Sequence, residues 1–410
     1  MYLKKFSKTF SVGLIMIMFS NCHSSKNITE KNDFKTPYQF SSSIANKVAK
    51  DTVPWKHQLS AANYANKGDY RNALIEWDLA MGTRERNYNS IQIDSIKDLY
   101  ATLNAKKYII EEAKKTNVII INEAHHNSFH RVFTKSLLKE LHDLGYRNLG
   151  LEALGNGGYL DKEINIRKYP ILESGYYTKD PQFGNLIREA LAIGYELFPY
   201  ENTGEGNGKE REIAQAQNIQ KYMSTKPNEK FLIHCGFEHV LEGKHKSWEK
   251  AMASRLTEYT GIDPLTINQV IYSERSDVKF NHPFRKAFDI DESSVIINKT
   301  TGEALPYKRR EAWADLIVLH PLTSYINNRP HWVFQGANKN VSINLNDISI
   351  EFPVMLLAYK KGEPIDLAVP IDVTEVTNRN LTGHLGLKKG TYEIIVTNGT
   401  ESLKLEKRVH

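Results

Sequence analysis

Glutamate and histidine side chains stand at the ends of several apolar runs in this sequence of 410 residues. The first run, residues 118–121, leads into Glu123 and His125. Later runs end in the same two residue types, at Glu152, Glu201, His234, His239 and His320. An ionisable group at the end of a buried strand costs free energy unless it is paired or used. The repeated pattern therefore predicts one shared polar site.

Two chemistries suit these residue types. A histidine beside a carboxylate can take a proton from water, because its ordinary pKa of about 6.5 lies close to neutral pH. Alternatively, a divalent metal such as zinc or manganese could be held, with an open position for water, by Glu123, His125, His234 and His239. The segment NEAHH lacks the H-E-x-x-H spacing of helical zinc sites, so such a metal would need ligands from several strands.

The elements that must position these side chains alternate along the chain. Strand-like segments at 117–126, 148–154, 195–202 and 230–239 are separated by segments with helical spacing at 129–145, 183–194 and 208–224. This alternation predicts an α/β fold with a mostly parallel sheet flanked by helices. Ligands bind beyond the carboxyl ends of the strands in such sheets, which is where the glutamates and histidines lie. Further strands of the sheet are expected at 265–275 and 313–321.

Helical and antiparallel segments are predicted on either side of this domain, which we place at 116–331. Residues 51–115 are predicted to be helical, because 61–81 resembles a single tetratricopeptide repeat and 95–116 has the pattern of one amphipathic helix. A single repeat favours a hairpin packed on the main domain over a peptide-binding array. Residues 332–410 alternate in short, turn-punctuated runs, which predicts a small antiparallel β unit.

The start of the chain resembles an export signal. Lys4, Lys5 and Lys8 precede an apolar stretch of roughly ten residues, too short to span a bilayer. Residues 1–21 are predicted to be a lipoprotein signal peptide, with Cys22 as the lipidated residue; plain signal cleavage is the alternative. We expect a lipid-anchored protein in the cell envelope of a Gram-negative-type bacterium, periplasmic or surface-facing. Polar residues 22–50 are predicted to form a flexible tether.

Charge and cysteine content narrow the expected partners. The net charge of +6 falls to +3 without residues 1–21, since that segment holds three lysines and no acids. So small a charge argues against nucleic acid as a partner. Cys22 and Cys235 are the only cysteines of the chain, so no internal disulfide is expected once Cys22 carries lipid. Cys235 is predicted to be a small buried residue rather than a nucleophile.

Several of these segments together resemble one superfamily. NEAHHNSFHR is similar to the GExHxxxxxH motif of the superfamily that unites erythromycin esterases, haem-binding ChaN-like lipoproteins and metal-dependent TIKI/TraB proteases. LGLEAL resembles its second strand, REIAQAQNI its arginine-containing helix, and GFEH its second G-x-x-H motif. The similarity covers roughly residues 118–243 and continues more weakly to about residue 321.

The resemblance implies specific roles. It places the catalytic residues of a possible hydrolase, acting on an ester or amide of a small molecule or peptide, at Glu123, His125, Glu152, Arg211 and His239. In that role Glu123 would orient His125, and Arg211 would stabilise an oxyanion. The ChaN-like relatives imply haem binding as the alternative, through His130, Tyr176 and Tyr177. Asn122 stands where the family usually has glycine, and we expect its side chain to narrow the approach to the site.

Overall fold

The computed structural model describes residues 33–410 and the backbone of Glu30 and Lys31; the predicted signal peptide and Cys22 lie outside the described residues. The helices are α1 (Ser41–Lys50), α2 (Lys56–Asn66), α3 (Tyr70–Met81), α4 (Ser90–Leu99), α5 (Ala105–Glu112), α6 (Ser128–Asp143), α7 (Ile164–Arg167), α8 (Pro181–Ile193), α9 (Lys209–Ser224), α10 (Met252–Thr260) and α11 (Pro283–Lys286). The strands are β1 (Glu30–Lys31), β2 (Tyr100–Asn104), β3 (Val118–Glu123), β4 (Tyr146–Leu151), β5 (Glu196–Pro199), β6 (Lys230–Gly236), β7 (Glu242–Gly243), β8 (Leu265–Asn268), β9 (Ser294–Asn298), β10 (Tyr307–Arg309), β11 (Ala312–Ala314), β12 (Leu316–Leu319), β13 (Tyr325–Ile326), β14 (Arg329–Pro330), β15 (Lys339–Ile343), β16 (Val354–Lys360), β17 (Asp372–Val376), β18 (Gly383–Leu387), β19 (Gly390–Thr397) and β20 (Ser402–Val409). Within this range, no helix combines the length and apolar character needed to cross a bilayer.

The largest sheet confirms the α/β prediction in its coarse form. Its eight strands run in the order β2-β9-β12-β8-β3-β6-β4-β5. The six strands from β12 to β5 pair in parallel, whereas β9 and β2 join antiparallel at one edge, so the sheet is mixed. Every residue of β3 is buried, as expected for a central strand covered by helices on both faces. Helices α6 and α8 pack on one face, and α9 and α10 pack on the other.

The predicted amphipathic helix across 95–116 is wrong, because strand β2 interrupts it. Helix α4 ends at Leu99, β2 pairs with β9 along five residues, and α5 begins at Ala105. The side chain of Asn104 accepts a hydrogen bond from the backbone N–H of Lys107 and so starts the second helix. The ladder to β9, about 190 residues away in sequence, overrides the local helical pattern.

The C-terminal residues form antiparallel sheets. Strands β1, β20, β19, β16 and β17 make a five-stranded sheet in that order, and β15 pairs with β18. The facing apolar side chains of these strands enclose a separate core, which includes Leu356, Ile394 and Leu405. A buried ion pair joins this part of the chain to helix α8, since Arg188 Nη2 lies 2.5 Å from Glu363 Oε2. The C-terminal sheets therefore contact the α/β domain directly.

The predicted flexible tether across 22–50 is wrong for residues 33–50. The side chains of Phe34 and Tyr38 are buried against Leu357 and Tyr359 of the C-terminal sheet. Helix α1 buries Ile44 against α2 and α3. The apolar residues of this segment are too widely spaced to form a core of their own. They are buried because the sheet beneath them offers an apolar face.

We expect Phe34→Ala to lower the free energy of unfolding by about 3–5 kcal/mol, because it removes a large buried ring. Urea denaturation of the two proteins measures the difference. Tyr159→Ala is the matched control, since Tyr159 is 84% exposed and should change the free energy little. A Phe34→Ala effect no larger than that of the control would indicate that the segment does not stabilise the fold.

Candidate active site

Four neighbouring parallel strands bring their carboxyl ends together at one edge of the sheet. Strands β3, β6, β4 and β5 are adjacent in that order. Glu123 is the last residue of β3, Glu152 follows β4, Glu201 follows β5, and His239 lies in a 3-10 turn directly after β6. The strand order thus assembles in space a cluster whose members are spread along the sequence.

His125 and Glu123 form a hydrogen-bonded pair at this edge. His125 Nδ1 lies 2.9 Å from Glu123 Oε1. The imidazole is 16% exposed and the carboxylate is almost fully buried. No described residue bonds His125 Nε2, so the pair leaves that nitrogen available. A buried carboxylate that fixes Nδ1 leaves Nε2 as the nitrogen that can take or give a proton.

Arg131 holds the Glu123 carboxylate in place. Its Nε and Nη2 donate to the two Glu123 oxygens at 2.6 and 2.7 Å, and Nη2 also donates to the carbonyl of His125 at 2.9 Å. Burial alone would raise the pKa of Glu123, but the Arg131 guanidinium and the bond from His125 hold it well below its ordinary value. Glu123 is therefore an anion across the physiological pH range.

Asp180 completes the buried charge balance around Arg131. Its Oδ2 lies 3.0 Å from Arg131 Nη1, and both side chains are 1% exposed. Asp180 also accepts from Ser128 Oγ at 2.5 Å and from the first backbone N–H groups of α8. The Arg131 guanidinium thus joins the start of α8 to the end of β3.

A second charged cluster surrounds Arg211 on α9. Arg211 donates from Nε and Nη2 to both oxygens of Glu201, at 3.0 and 2.5 Å, and from Nη2 to Glu152 Oε1 at 2.6 Å. Its side chain is 32% exposed. Burial would raise the pKa of Glu152, but His239, His125, Arg211 and the N–H of Gly236 lower it to about 2. Four of the five Arg211 donor hydrogens have partners, which leaves one on Nη1.

His239 lies between the second cluster and the interior. Its Nδ1 is 2.9 Å from Glu212 Oε2, and its Nε2 is 3.0 Å from Arg211 Nη1. Burial lowers the pKa of His239, but the carboxylates of Glu152 and Glu212 outweigh it and raise the pKa above its ordinary value. Because Arg211 can only donate, protonation of His239 would break the bond between the two.

Gly236 lets the two clusters approach each other. A Cβ atom at this position would lie 2.5 Å from His125 Cε1 and 3.4 Å from Glu152 Oε2. His125 and Glu152 therefore border the same small space over the Gly236 backbone. The site requires the absence of a side chain here, although the backbone dihedral angles of Gly236 are ordinary for a strand.

Aromatic rings enclose His125 and the residue after it. Tyr177 stacks on His125 with ring centroids 3.7 Å apart, and Phe237 meets His125 edge-on at 5.0 Å. Trp77 of α3 stacks on His126 at 4.1 Å and on Phe237 at 5.3 Å. The N-terminal helices thus contribute a ring to the wall of the site.

Two of the histidines singled out in the sequence are internal. His130 is fully buried; its Nδ1 accepts from the N–H of Ala124 at 3.0 Å, and its Nε2 is 3.0 Å from Ser273 Oγ. His320 is bonded to Ser293 Oγ and Gln269 Oε1. Both His130 nitrogens are engaged inside the protein and neither reaches the surface, so this geometry does not favour the predicted cofactor-binding role of His130.

The four residues predicted to bind a metal are not brought together as one ligand set. Both Glu123 oxygens accept from Arg131, and the two nitrogens of His239 face Glu212 and Arg211 instead. His234 Nε2 is 3.6 Å from Glu123 Oε2 and has no hydrogen-bond partner. Across the described part of the chain, no group of three or more His, Cys, Asp or Glu is placed to hold a metal ion. A cation here would have to displace a guanidinium group.

The tyrosines predicted to bind haem do not face an open apolar slot. One face of Tyr177 is covered by His125, and Tyr176, which is 55% exposed, contacts Tyr177 edge-on. Burial raises the pKa of Tyr177, and Glu152 adds to the shift. A raised pKa disfavours the phenolate that ligates iron. This arrangement fits packing around His125 better than haem ligation.

Asn122 does not narrow the approach to the site, contrary to our expectation. Its side chain is fully buried and donates from Nδ2 to the carbonyl of Phe237 at 2.6 Å, while its Oδ1 accepts from the N–H of Gln269 at 2.9 Å. Asn122 therefore ties β3 to the turn that carries Phe237 and His239. Cys235 is buried with a raised pKa of its thiol, caused by burial, as expected for a residue that is not a nucleophile.

Sequence reasoning missed Arg131, Asp180, Phe237 and Trp77. Arg131 stands one residue from the histidines that drew attention, but its place on a helix gives no sign that its charge is buried. Asp180 precedes a proline, which indicates a helix start and no further role. Only the packing of α6 and α8 against β3 brings these two side chains together.

Comparison with known proteins leaves the family open. No family model matches the chain, and no curated protein matches it. Among solved structures, RRSP, a MARTX toxin effector domain from Vibrio vulnificus CMCP6, is 14% identical over 54% of this chain and 48% of its own, with a TM-score of 0.30. The type III effector HopBA1 is 12% identical over 42% of this chain and 86% of its own, with a TM-score of 0.31. The chain thus spans about half the length of the RRSP structure. TM-scores this low establish neither a shared fold nor a shared activity.

We expect the protein to lose stability steadily below about pH 6.5, because burial lowers the pKa values of several internal histidines: His126 and His130 well below normal, His234 to about 4 and His320 to about 3. At a pH between the lowered pKa of such a histidine in the folded protein and its ordinary pKa of about 6.5, the histidine is protonated only in the unfolded state. Each histidine should contribute up to about 1.4 kcal/mol per pH unit to the fall. Denaturation curves at several pH values measure it. His320→Gln should flatten the slope by about one proton, and an unchanged slope would contradict the assignment.

Proposed function

We propose that the protein is a hydrolase that cleaves an ester or amide bond with water activated by His125. One observation carries the proposal: His125 Nδ1 is bonded to a buried carboxylate that Arg131 keeps ionised, while Nε2 has no partner in the described protein. A histidine held in this way acts as a general base at its free nitrogen.

The reaction would proceed by direct attack of water. His125 Nε2 takes a proton as the water oxygen adds to the substrate carbonyl, and Glu123 stabilises the resulting imidazolium through Nδ1. The tetrahedral intermediate then breaks the bond to the leaving group. The His125 imidazolium returns its proton to the leaving oxygen or nitrogen, so the products are a carboxylic acid and an alcohol or amine.

Arg211 is the candidate for oxyanion stabilisation. Glu201 and Glu152 fix the guanidinium plane through bonds of 3.0, 2.5 and 2.6 Å, and one Nη1 hydrogen has no partner. A donor fixed before the reaction costs no reorganisation when charge develops on the carbonyl oxygen. His239 and Glu152 are positioning residues in this scheme, because both contact Arg211 directly.

The motif resemblance supports the same activity and suggests its setting. The segments similar to erythromycin esterases and their relatives include Glu123, His125, Glu152, Arg211 and His239. We infer a lipoprotein anchored at Cys22 in the cell envelope, with tetratricopeptide-like helices before the α/β domain and a C-terminal β domain (332–410). Strand β2 (Tyr100–Asn104) belongs to the sheet of the α/β domain, so that domain begins earlier than the predicted residue 116. The expected substrate is a small molecule or peptide, not nucleic acid.

We expect His125→Ala to lower the hydrolysis rate by roughly 100- to 10,000-fold, because it removes the general base. The assay is a panel of p-nitrophenyl esters and aminoacyl p-nitroanilides. The melting temperature should change little, since Arg131 still pairs with both Glu123 oxygens when the imidazole is removed. His142→Ala, in the last turn of α6, is the matched control. Retained activity in His125→Ala, or turnover of no panel member by the unsubstituted protein, would count against the proposal.

We expect Gly236→Ala to cost about 100-fold in kcat without unfolding the protein. Its Cβ would lie 2.5 Å from His125 Cε1, so the imidazole must move away from the space it shares with Glu152. The same assay and a melting curve measure the effect. Gly158→Ala is the control, because its Cβ would meet no atom within 4 Å. Equal activity in the two variants would show that the His125 position is not critical.

A further inference from the structure

A cavity lies away from the candidate active site, beyond the end of β12. Its volume is about 640 Å³. Residues of α11, the segment after it, and the loops around Pro321 and His331 line it. None of the residues that form the two charged clusters described above contributes to its wall. Any ligand here would therefore be bound independently of the proposed hydrolysis.

Arg285 in the wall of this cavity carries a buried charge with almost no partners. The residue is 5% exposed. Its Nη2 donates to the carbonyl of His320 at 2.5 Å, and its Nη1 is buried without a hydrogen-bond partner. Arg285 thus uses one of five donor hydrogens within the described protein. A buried guanidinium normally has a carboxylate beside it, because an unpaired buried charge is costly.

The protein itself supplies no such carboxylate in the described region. No described carboxylate lies within 4.0 Å of the Arg285 nitrogens. Burial lowers the pKa of Arg285, and the Glu274 carboxylate, whose oxygens accept from Tyr70 and Thr323, opposes this shift from a greater distance. Among the residues whose side chains are not described, only Glu30 is acidic, and its backbone pairs with Lys404 of the C-terminal sheet. The contrast is with Arg329, equally buried, which lies 2.5 Å from the carboxylate of Asp372.

The rest of the lining fits an anion joined to an apolar group. Lys286 follows Arg285 and bonds only carbonyl and amide oxygens, at 2.8 to 3.1 Å, so it adds a second positive charge without a paired acid. Val278, Phe288 and Leu322 supply apolar surface. The two acids that line the cavity, Asp289 and Asp291, are exposed, and neither pairs with Arg285.

We propose that this cavity binds an organic anion, with a carboxylate or phosphate headgroup on Arg285 and an apolar body against Val278, Phe288 and Leu322. The guanidinium offers two parallel donors, which match the two oxygens of either headgroup. A bound anion would neutralise the buried charge and satisfy donors that the protein leaves free. The proposal requires no hydrolytic activity and stands if the hydrolase assignment fails.

Calorimetric titration and melting curves of the full chain test the proposal with matched eight-carbon probes. Octanoate and octyl phosphate should bind and raise the melting temperature, and the tighter of the two identifies the headgroup. Octylamine and octanol should show no measurable binding, and neither should compete with the two anions. Arg285→Met should weaken anion binding by about tenfold or more, since it removes charge-assisted hydrogen bonds. Lys286→Met should weaken it less.

The stability of the variants without ligand gives a second readout. Arg285→Met removes an unpaired buried charge and should leave the melting temperature unchanged or higher. The control, Arg329→Met, leaves Asp372 buried and unpaired and should lower it. The proposal is overturned if neither anion binds, if octylamine binds as well as octanoate, or if Arg285→Met binds the anions as tightly as the unsubstituted protein. A loss of stability in Arg285→Met equal to that in Arg329→Met would also contradict it.

Discussion

The buried guanidinium of Arg131 is the interaction on which the candidate site depends. It bonds both oxygens of Glu123 at 2.6 and 2.7 Å, the carbonyl of His125 at 2.9 Å, and Asp180 at 3.0 Å. A pair so deeply buried gives little net stability by itself, but removal of one partner leaves an uncompensated charge. The main effect of Arg131 is therefore to orient the groups that it bonds. It fixes an anion at the end of β3, and through that anion it fixes the imidazole of His125.

The charged cluster around Glu123 and the one around Arg211 differ in how deeply they are buried. The side chains of Arg131 and Glu123 are 1% and 2% exposed, whereas those of Arg211 and Glu201 are 32% and 26% exposed and reach the surface. In the proposed reaction, water and substrate would therefore approach from the Arg211 side, while His125 is oriented from the interior. Gly236 is the point of contact, because only a residue without a side chain leaves room for both His125 and Glu152.

The segments outside the α/β domain are packed onto it rather than attached by linkers. Tyr70 of α3 donates to Glu274, and Asp78 accepts from Ser276, which follows β8. Trp77 stacks on His126 beside the site. The C-terminal sheet covers Phe34 and Tyr38 and holds α8 through Arg188 and Glu363. Since Asp180 caps the N-terminus of α8, these contacts also support the partner of Arg131.

The sequence alone is enough to predict the central strands and the positions of Glu123, His125, Glu152 and His239 at or just after their ends, because burial of a strand on both faces leaves a local apolar run. It did not reveal that His130 and His320 are internal, that strand β2 interrupts a helical pattern, or that residues 33–50 pack on the C-terminal sheet. Those outcomes depend on neighbours far away in the chain. The same holds for Arg131 with Asp180 and Arg211 with Glu152. Local periodicity indicates whether a side chain is buried. The partner of a buried charge depends on how strands and helices from distant parts of the chain pack together.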